Sequence, residues 1–85
     1  MDDVSYAVVF TYSFDTDASA YLFSDYEEAK RFLKESVEAE VRIDTEENGW
    51  DTEWTIEDDG TYARIENHFP FGSDITEAHL ASIYR

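Results

Sequence analysis

A segment near the middle of the chain has the periodicity of an amphipathic helix, and the segments on both sides of it have a period of two. Apolar residues recur in this segment at steps of three or four: Tyr26, Ala29, Leu33, Val37 and Val41. The stripe predicts one helix that buries a single face. Ser24 and Glu27 have the spacing of a capping box, and Asn48-Gly49 tolerates the left-handed conformation found at helix ends. We therefore expect a helix that begins at Ser24 and ends at Asn48 or a few residues earlier.

The flanking segments alternate apolar and polar residues, which is typical of half-buried strands. This alternation covers residues 4–14, 50–57 and 61–69, residues 18–23 also have extended character, and turn-forming residues divide these segments into two hairpins. Residues 75–84 fit either a strand or a helix capped through Asp74 and Glu77. We prefer the strand, because it would cover an open hairpin edge. The prediction is a single α+β domain over residues 1–85, an antiparallel β-sheet with one helix packed across it, in the order ββαβββ.

The composition excludes several classes of function. The chain has 85 residues, no Cys and a net charge of −15, from six Lys and Arg against 21 Asp and Glu. A charge of this sign repels nucleic acids and anionic membranes, so we expect no direct nucleic-acid binding and no membrane association. The lack of cysteine and of a signal-like N-terminus favours a cytoplasmic protein. The expected partner is a protein with a basic surface.

The negative charge is concentrated in one part of the sequence. Residues 44–59 contain two Trp, no Lys or Arg, and eight carboxylates: Asp44, Glu46, Glu47, Asp51, Glu53, Glu57, Asp58 and Asp59. In contrast, residues 27–42 of the predicted helix carry five acidic and four basic residues. Alternate residues of a strand project to one side at steps of roughly 6.8 Å, so Asp51, Glu53 and Glu57 should form a regular row. The eight carboxylates are the candidate partner-binding site.

Other kinds of site have less support. Residues 44–49 match the first half of an EF-hand calcium loop, but Thr55 stands at the twelfth position, where a bidentate Glu is required. The two histidines, His68 and His79, lack the short spacing of a zinc site. The sequence also lacks the nucleophile elbow of a hydrolase. We therefore expect no metal, no cofactor and no enzymatic activity.

Trp50 and Trp54 share one face of the predicted strand with Ile56. We expect these three side chains to lie in the core beneath the helix, because large aromatic residues are a main source of buried area in a small domain. The alternative is that the two tryptophans are exposed anchors for a partner, since Trp is frequent at binding hot spots.

In its small size, acidity, lack of cysteine and row of carboxylates from Asp51 to Asp59, the chain resembles the small acidic inhibitors encoded by phages and mobile elements, especially anti-CRISPR proteins. The resemblance implies a DNA mimic, a stoichiometric inhibitor in the host cytoplasm that competes with target DNA where a CRISPR effector reads its short duplex motif through Arg side chains. Two alternatives stay open. One is an immunity protein that neutralises a basic nuclease toxin, and the other is an acidic domain of the halophile type with no mimic role.

Overall fold

A computed structural model describes residues 5–83 of the chain. Within these residues the chain forms five strands and one α-helix: β1 (Tyr6–Tyr12), β2 (Asp15–Phe23), α1 (Tyr26–Arg42), β3 (Asp51–Ile56), β4 (Tyr62–Phe69) and β5 (Gly72–Ser82). A π-helical segment, Ile43–Glu47, extends α1. The predicted α+β class is confirmed, with two strands before the helix and three after it. Val4 and Tyr84, the outer ends of two predicted strands, lie outside the described residues.

All five strands pair antiparallel in one sheet, in the spatial order β2-β1-β5-β4-β3. The last segment is therefore a strand, as predicted, and it occupies the centre of the sheet. β5 pairs with β1 on one side and with β4 on the other. It joins the hairpin of β1 and β2 to the hairpin of β3 and β4, and it leaves β2 and β3 as the edge strands.

The core lies between α1 and one face of the sheet. The buried side of α1 consists of Ala29, Leu33, Val37 and Val41, as its periodicity predicts. These side chains cluster with five buried residues of the three central strands: Val8, Phe10, Ala63, Ile65 and Ala78. Two of the five are alanine, and their small side chains let the helix pack closely on β4 and β5.

The beginning of the helix differs from the prediction. α1 begins at Tyr26, with Asp25 in the N-cap position and without a side-chain capping hydrogen bond, so the predicted capping box of Ser24 and Glu27 is wrong. β2 continues to Phe23, and the chain uses both Ser24 and Asp25 to turn from the strand into the helix. This turn moves Glu27 from the third to the second helical position, from which the capping box cannot form.

The helix ends where the sequence predicts. Its last turn is π-helical, and the Asn48 N–H donates to the Ile43 carbonyl oxygen at 3.0 Å. Gly49 follows with a φ of +68°, a conformation that glycine adopts without strain. The chain then enters β3 through Trp50, whose N–H donates to the Asp44 carbonyl oxygen at 2.8 Å.

Replacement of a core side chain tests the packing of the helix on the sheet. Ile65→Ala is expected to lower the free energy of unfolding by about 2–5 kcal/mol, because Ile65 is buried under α1 and its truncation leaves a cavity. The control, Ile43→Ala, truncates the same residue type at an exposed site and should cost less than about 1 kcal/mol. If urea denaturation gave the same loss in the free energy of unfolding for both variants, the result would contradict the described core.

Candidate interaction surface

The edge strand β3 has two different faces. In its register Trp54 lies opposite Ile65 of β4, and Glu53 lies opposite Glu66. Because Ile65 belongs to the core, Trp54 is on the helix side of the sheet and Glu53 is on the open side. Asp51 shares the open side with Glu53. The candidate carboxylates of the strand therefore point away from the helix.

The tryptophans beside this strand are exposed, which corrects the prediction that they lie in the core. Trp50 is 40% exposed and Trp54 is 42% exposed, whereas Ile56 packs against the core as expected. Among residues 5–83 the buried sheet residues come from β1, β4 and β5, and β3 contributes only the partly buried Ile56 to the hydrophobic core. The Trp50 ring meets the Phe69 ring edge-on at a centroid distance of 5.2 Å, and Phe69 stacks on the exposed Phe71. The tryptophans thus belong to the accessible surface.

Asp44 is buried, which corrects its assignment to the partner-binding site. Only 3% of the residue is exposed, and its carboxylate accepts a hydrogen bond from Asn67 Nδ2 at 2.9 Å. Asn67 is buried as well, and its Oδ1 accepts a hydrogen bond from Thr52 Oγ1 at 2.6 Å. The π-helical segment turns Asp44 inward over β4. Its side chain therefore ties the helix end to the sheet and does not face a partner.

Glu40 lies one helical turn before Asp44 and forms a carboxyl pair with it. The hydrogen bond to Asp44 is the main cause that raises the pKa of Glu40 from 4.5 to about 7, and partial burial and the negative charge of Asp44 add to it. At mildly acidic pH the Glu40 carboxyl therefore keeps its proton and donates it in a hydrogen bond to Asp44. The i, i+4 spacing was visible in the sequence, but the burial of Asp44 depends on Asn67, which is far away along the chain.

The other seven carboxylates of the candidate site are exposed and fall into three groups. The groups lie at the end of the helix (Glu46, Glu47), on the open face of β3 (Asp51, Glu53) and at the turn between β3 and β4 (Glu57, Asp58, Asp59). From residue 51 to residue 57 an extended chain advances about 20 Å. The structure thus distributes these seven carboxylates along one edge of the sheet, which we call the acidic edge.

Arg64 and His68 of the neighbouring strand β4 lie beside these carboxylates. Their proximity is not visible in the sequence around β3. Arg64 Nη1 lies 3.1 Å from the Glu66 carboxylate. The His68 ring lies 3.5 Å from the Glu53 carboxylate and 3.8 Å from that of Glu66. The Arg64 cation offsets part of the repulsion between Glu53 and Glu66, which lie directly opposite each other. The middle of the acidic edge is therefore a mixed-charge network.

The turn after β3 faces the basic side of the helix. The cleft between them is lined by residues of both elements: Glu27, Lys30, Arg31, Lys34, Ile56, Glu57, Asp58 and Gly60. In the turn itself, Asp59 accepts hydrogen bonds from the Thr61 backbone N–H at 3.0 Å and from the Thr61 hydroxyl at 2.8 Å. These hydrogen bonds lower the pKa of Asp59. Asp59 therefore shapes the turn as well as adding charge to it.

The net charge of the described residues can be compared with the length of the molecule. Its principal dimensions are 49 × 23 × 21 Å. Without Asp2, Asp3 and Arg85, which lie outside the described residues, the net charge of −15 becomes −14. Along the longest dimension this is about one net charge per 3.5 Å, compared with roughly 3.4 Å per phosphate along one strand of B-DNA. The elongated molecule thus has a linear charge density close to that of a single DNA strand.

Comparisons with protein-family models, curated proteins and solved structures found no match to this chain. In the part of the chain that the structure describes, no group of three or more His, Asp or Glu side chains is arranged to hold a metal ion. Between residues 5 and 83, no helix has both the length and the apolar character needed to cross a membrane. The geometry and charge of the surface are therefore the basis for assigning a function.

The carboxyl pair of Glu40 and Asp44 predicts a pH-dependent stability. Between about pH 4.5 and 7 the folded protein holds more protons than the unfolded chain, because the pKa of Glu40 is raised on folding. The free energy of unfolding should therefore fall as the pH rises through this range. Glu40→Gln keeps a hydrogen-bond donor for Asp44 without the second charge, so it should stabilise the protein by about 1 kcal/mol at pH 8, after allowance for solvent screening.

The matched control is Glu35→Gln, which removes one charge from an exposed site on the same helix. It should change the stability by less than about 0.5 kcal/mol and keep the pH dependence of the parent. Thermal melts of the three proteins from about pH 4 to pH 8 provide the measurement. A Glu40→Gln variant whose pH profile matches that of the parent would disprove the raised pKa of Glu40.

Proposed function

We propose that this protein is an inhibitor that binds the basic nucleic-acid-binding surface of a partner protein, and that it is an anti-CRISPR protein acting as a DNA mimic. The observation that carries the proposal is the line of exposed carboxylates along the edge strand β3 and the segments next to it. The proposed contact residues are the exposed members of the candidate site: Glu46, Glu47, Asp51, Glu53, Glu57, Asp58 and Asp59.

A groove that binds DNA presents Lys and Arg side chains to a row of phosphates. The acidic edge offers carboxylates to the same side chains, and the molecule as a whole has a linear charge density close to that of one DNA strand. A charge of −15 also attracts a basic partner over a distance and speeds the encounter. Since β3 is held in a five-stranded sheet, the backbone that carries its carboxylates needs little ordering on binding. Both the rate and the strength of association with a DNA-binding groove are thereby favoured.

The exposed tryptophans support binding to a protein. Trp50 and Trp54 lie at the same edge as the carboxylates, on the helix side of the sheet. Interfaces commonly combine a central aromatic anchor with a polar rim. A partner that contacts both faces of the β3 edge would bury the aromatic rings on one face and bind the carboxylates on the other.

The distribution of charge argues against general acidification of the halophile type. Residues 27–42 of the helix carry five acidic and four basic residues, whereas residues 44–59 carry eight carboxylates and no Lys or Arg. An adaptation to salt should acidify both parts of the surface. A halophile domain would also need molar salt to fold, so a cooperative melt in dilute buffer would count against that alternative.

Charge reversal along the edge tests the proposal. The four substitutions Asp51→Lys, Glu53→Lys, Glu57→Lys and Asp58→Lys, made together, should weaken binding to the partner at least about 100-fold, because they replace attraction to a basic groove by repulsion. Asp59 is kept because it holds Thr61 in the turn. The measurement is the binding of target DNA by purified RNA-guided nucleases in the presence of each inhibitor variant.

The control reverses four exposed carboxylates elsewhere, through Asp17→Lys, Asp25→Lys, Glu28→Lys and Glu35→Lys. This variant has the same net charge as the edge variant and should inhibit nearly as well as the parent. A parent that leaves DNA binding unchanged across the effectors tested, yet inhibits basic nuclease toxins, would favour the immunity protein. Inhibition by the edge variant as strong as that by the parent would exclude the acidic edge as the site.

A second variant tests the aromatic part of the proposed interface. Trp54→Ala should weaken binding to the partner by roughly 30-fold or more, as expected for a Trp hot spot. It should cost the fold little, since the Trp54 side chain is far from fully buried. Phe71→Ala truncates another exposed aromatic side chain and is the control. Titration of the partner with each variant measures the two affinities, and equal affinities would remove Trp54 from the interface.

A further inference from the structure

The two edge strands of the sheet differ in charge. β3 contains Asp51 and Glu53, and three more carboxylates follow it in the turn. The outer edge of β2 is different, because residues 18–23 of this strand contain no charged side chain, no Gly and no Pro. Charged residues, proline and bulges are the usual means by which an edge strand is kept from pairing with another chain. In β2 two Asp residues and an irregular register against β1 lie before Ser19, so residues 19–23 are the part of the strand without these protective features.

The unprotected part of β2 is also apolar and exposed. Leu22 is 61% exposed on the open face of the sheet, beside Ala7 of β1. Tyr21 is 46% exposed on the helix face, where its ring packs against Phe32 at a centroid distance of 4.9 Å. Ala20, which precedes Tyr21 and lies beside Val9 of β1, is exposed as well. The backbone of this strand pairs with β1 on one side, and β2 is the last strand of the sheet on the other.

We infer that β2 is a self-association edge, at which two copies of this chain pair antiparallel to form one continuous ten-stranded sheet. A twofold axis perpendicular to the sheet at Tyr21 places Tyr21 opposite its own copy and Ala20 opposite Leu22 of the second copy. Antiparallel pairing about such an axis keeps both helices on the same side of the sheet. On the helix face Tyr21 meets its own copy and Ser19 meets Phe23, whereas on the open face Ala20 meets Leu22. Residues 18–24 carry no charge, so no like charges oppose each other within this contact.

The distribution of negative charge favours a second copy of the chain over a basic protein as the partner at β2. A basic partner is drawn to the carboxylates near β3, at the opposite edge of the sheet. In the paired sheet the two β3 strands are separated by nine strand spacings, or about 43 Å. The Debye length at physiological salt is about 8 Å, so repulsion between the two acidic edges is screened. The acidic residues nearest to the contact are Asp17, before its first residue, and Asp25, beyond the end of β2, and both are exposed.

The register gives a test by substitution at Ala20 and Leu22. In the double variant Ala20→Glu with Leu22→Glu, two carboxylates face two carboxylates across the axis, which should weaken dimerisation by roughly tenfold or more. In the double variant Ala20→Glu with Leu22→Lys, each introduced carboxylate faces an introduced ammonium of the other copy, so the dimer should be retained. The control Lys34→Glu changes the net charge as much as the first variant, but on the helix surface beside the turn after β3.

Sedimentation equilibrium of the full chain at about 0.1 mM and physiological salt measures the association, and circular dichroism confirms that each variant is folded. We expect twice the chain mass of 9.9 kDa for the parent, for Lys34→Glu and for the Glu/Lys variant, and a shift towards the monomer for the Glu/Glu variant. A monomeric parent would overturn the proposal. So would a Glu/Glu variant as dimeric as the parent, or dissociation of the Glu/Lys variant or of Lys34→Glu.

Discussion

The width of one helix limits how much of this sheet can be buried. An α-helix with its side chains is roughly 10–12 Å across, whereas five strands about 4.8 Å apart span about 19 Å between the outer two. The core accordingly consists of α1 and the three central strands. β2 and β3 stay at the margins of the helix, and their side chains are largely exposed. The exposed surfaces of the two edges are therefore formed mainly by the side chains of the edge strands themselves.

The exposed surfaces of the two edge strands differ in charge. At β3 the exposed tryptophans lie on one face and carboxylates on the other, a combination suited to a basic protein partner. At β2 the exposed residues from position 18 to 23 are uncharged, a composition suited to pairing with an identical strand. A molecule in which charge and apolar surface are separated across the sheet can use both edges at once, because the separation exceeds the range of screened electrostatics.

The acidic edge is also connected to the interior. Asp44, Asn67 and Thr52 form a chain of hydrogen bonds between the helix end and two strands, and Glu40 joins it through its hydrogen bond to Asp44. A buried carboxylate is tolerated there because Asn67 donates to it. This network fixes the end of the helix over β4, and through the Asp44 carbonyl it also fixes the entry into β3 at Trp50. The start of β3 is thereby held by the core.

Periodicity in the sequence was sufficient to predict the α+β class, the buried stripe of the helix, its end at Asn48 and the strand character of the last segment, since these depend on neighbours close along the chain. Long-range pairing decided the rest. Trp50 and Trp54 are exposed because β3 became an edge strand, and Asp44 is buried because Asn67, on another strand, supplies its hydrogen bond. The eight carboxylates form one group in the sequence, but only seven of them are on the surface of the fold. Arg64 and His68 of β4 lie beside this group, because strand order and register are properties of the whole sheet.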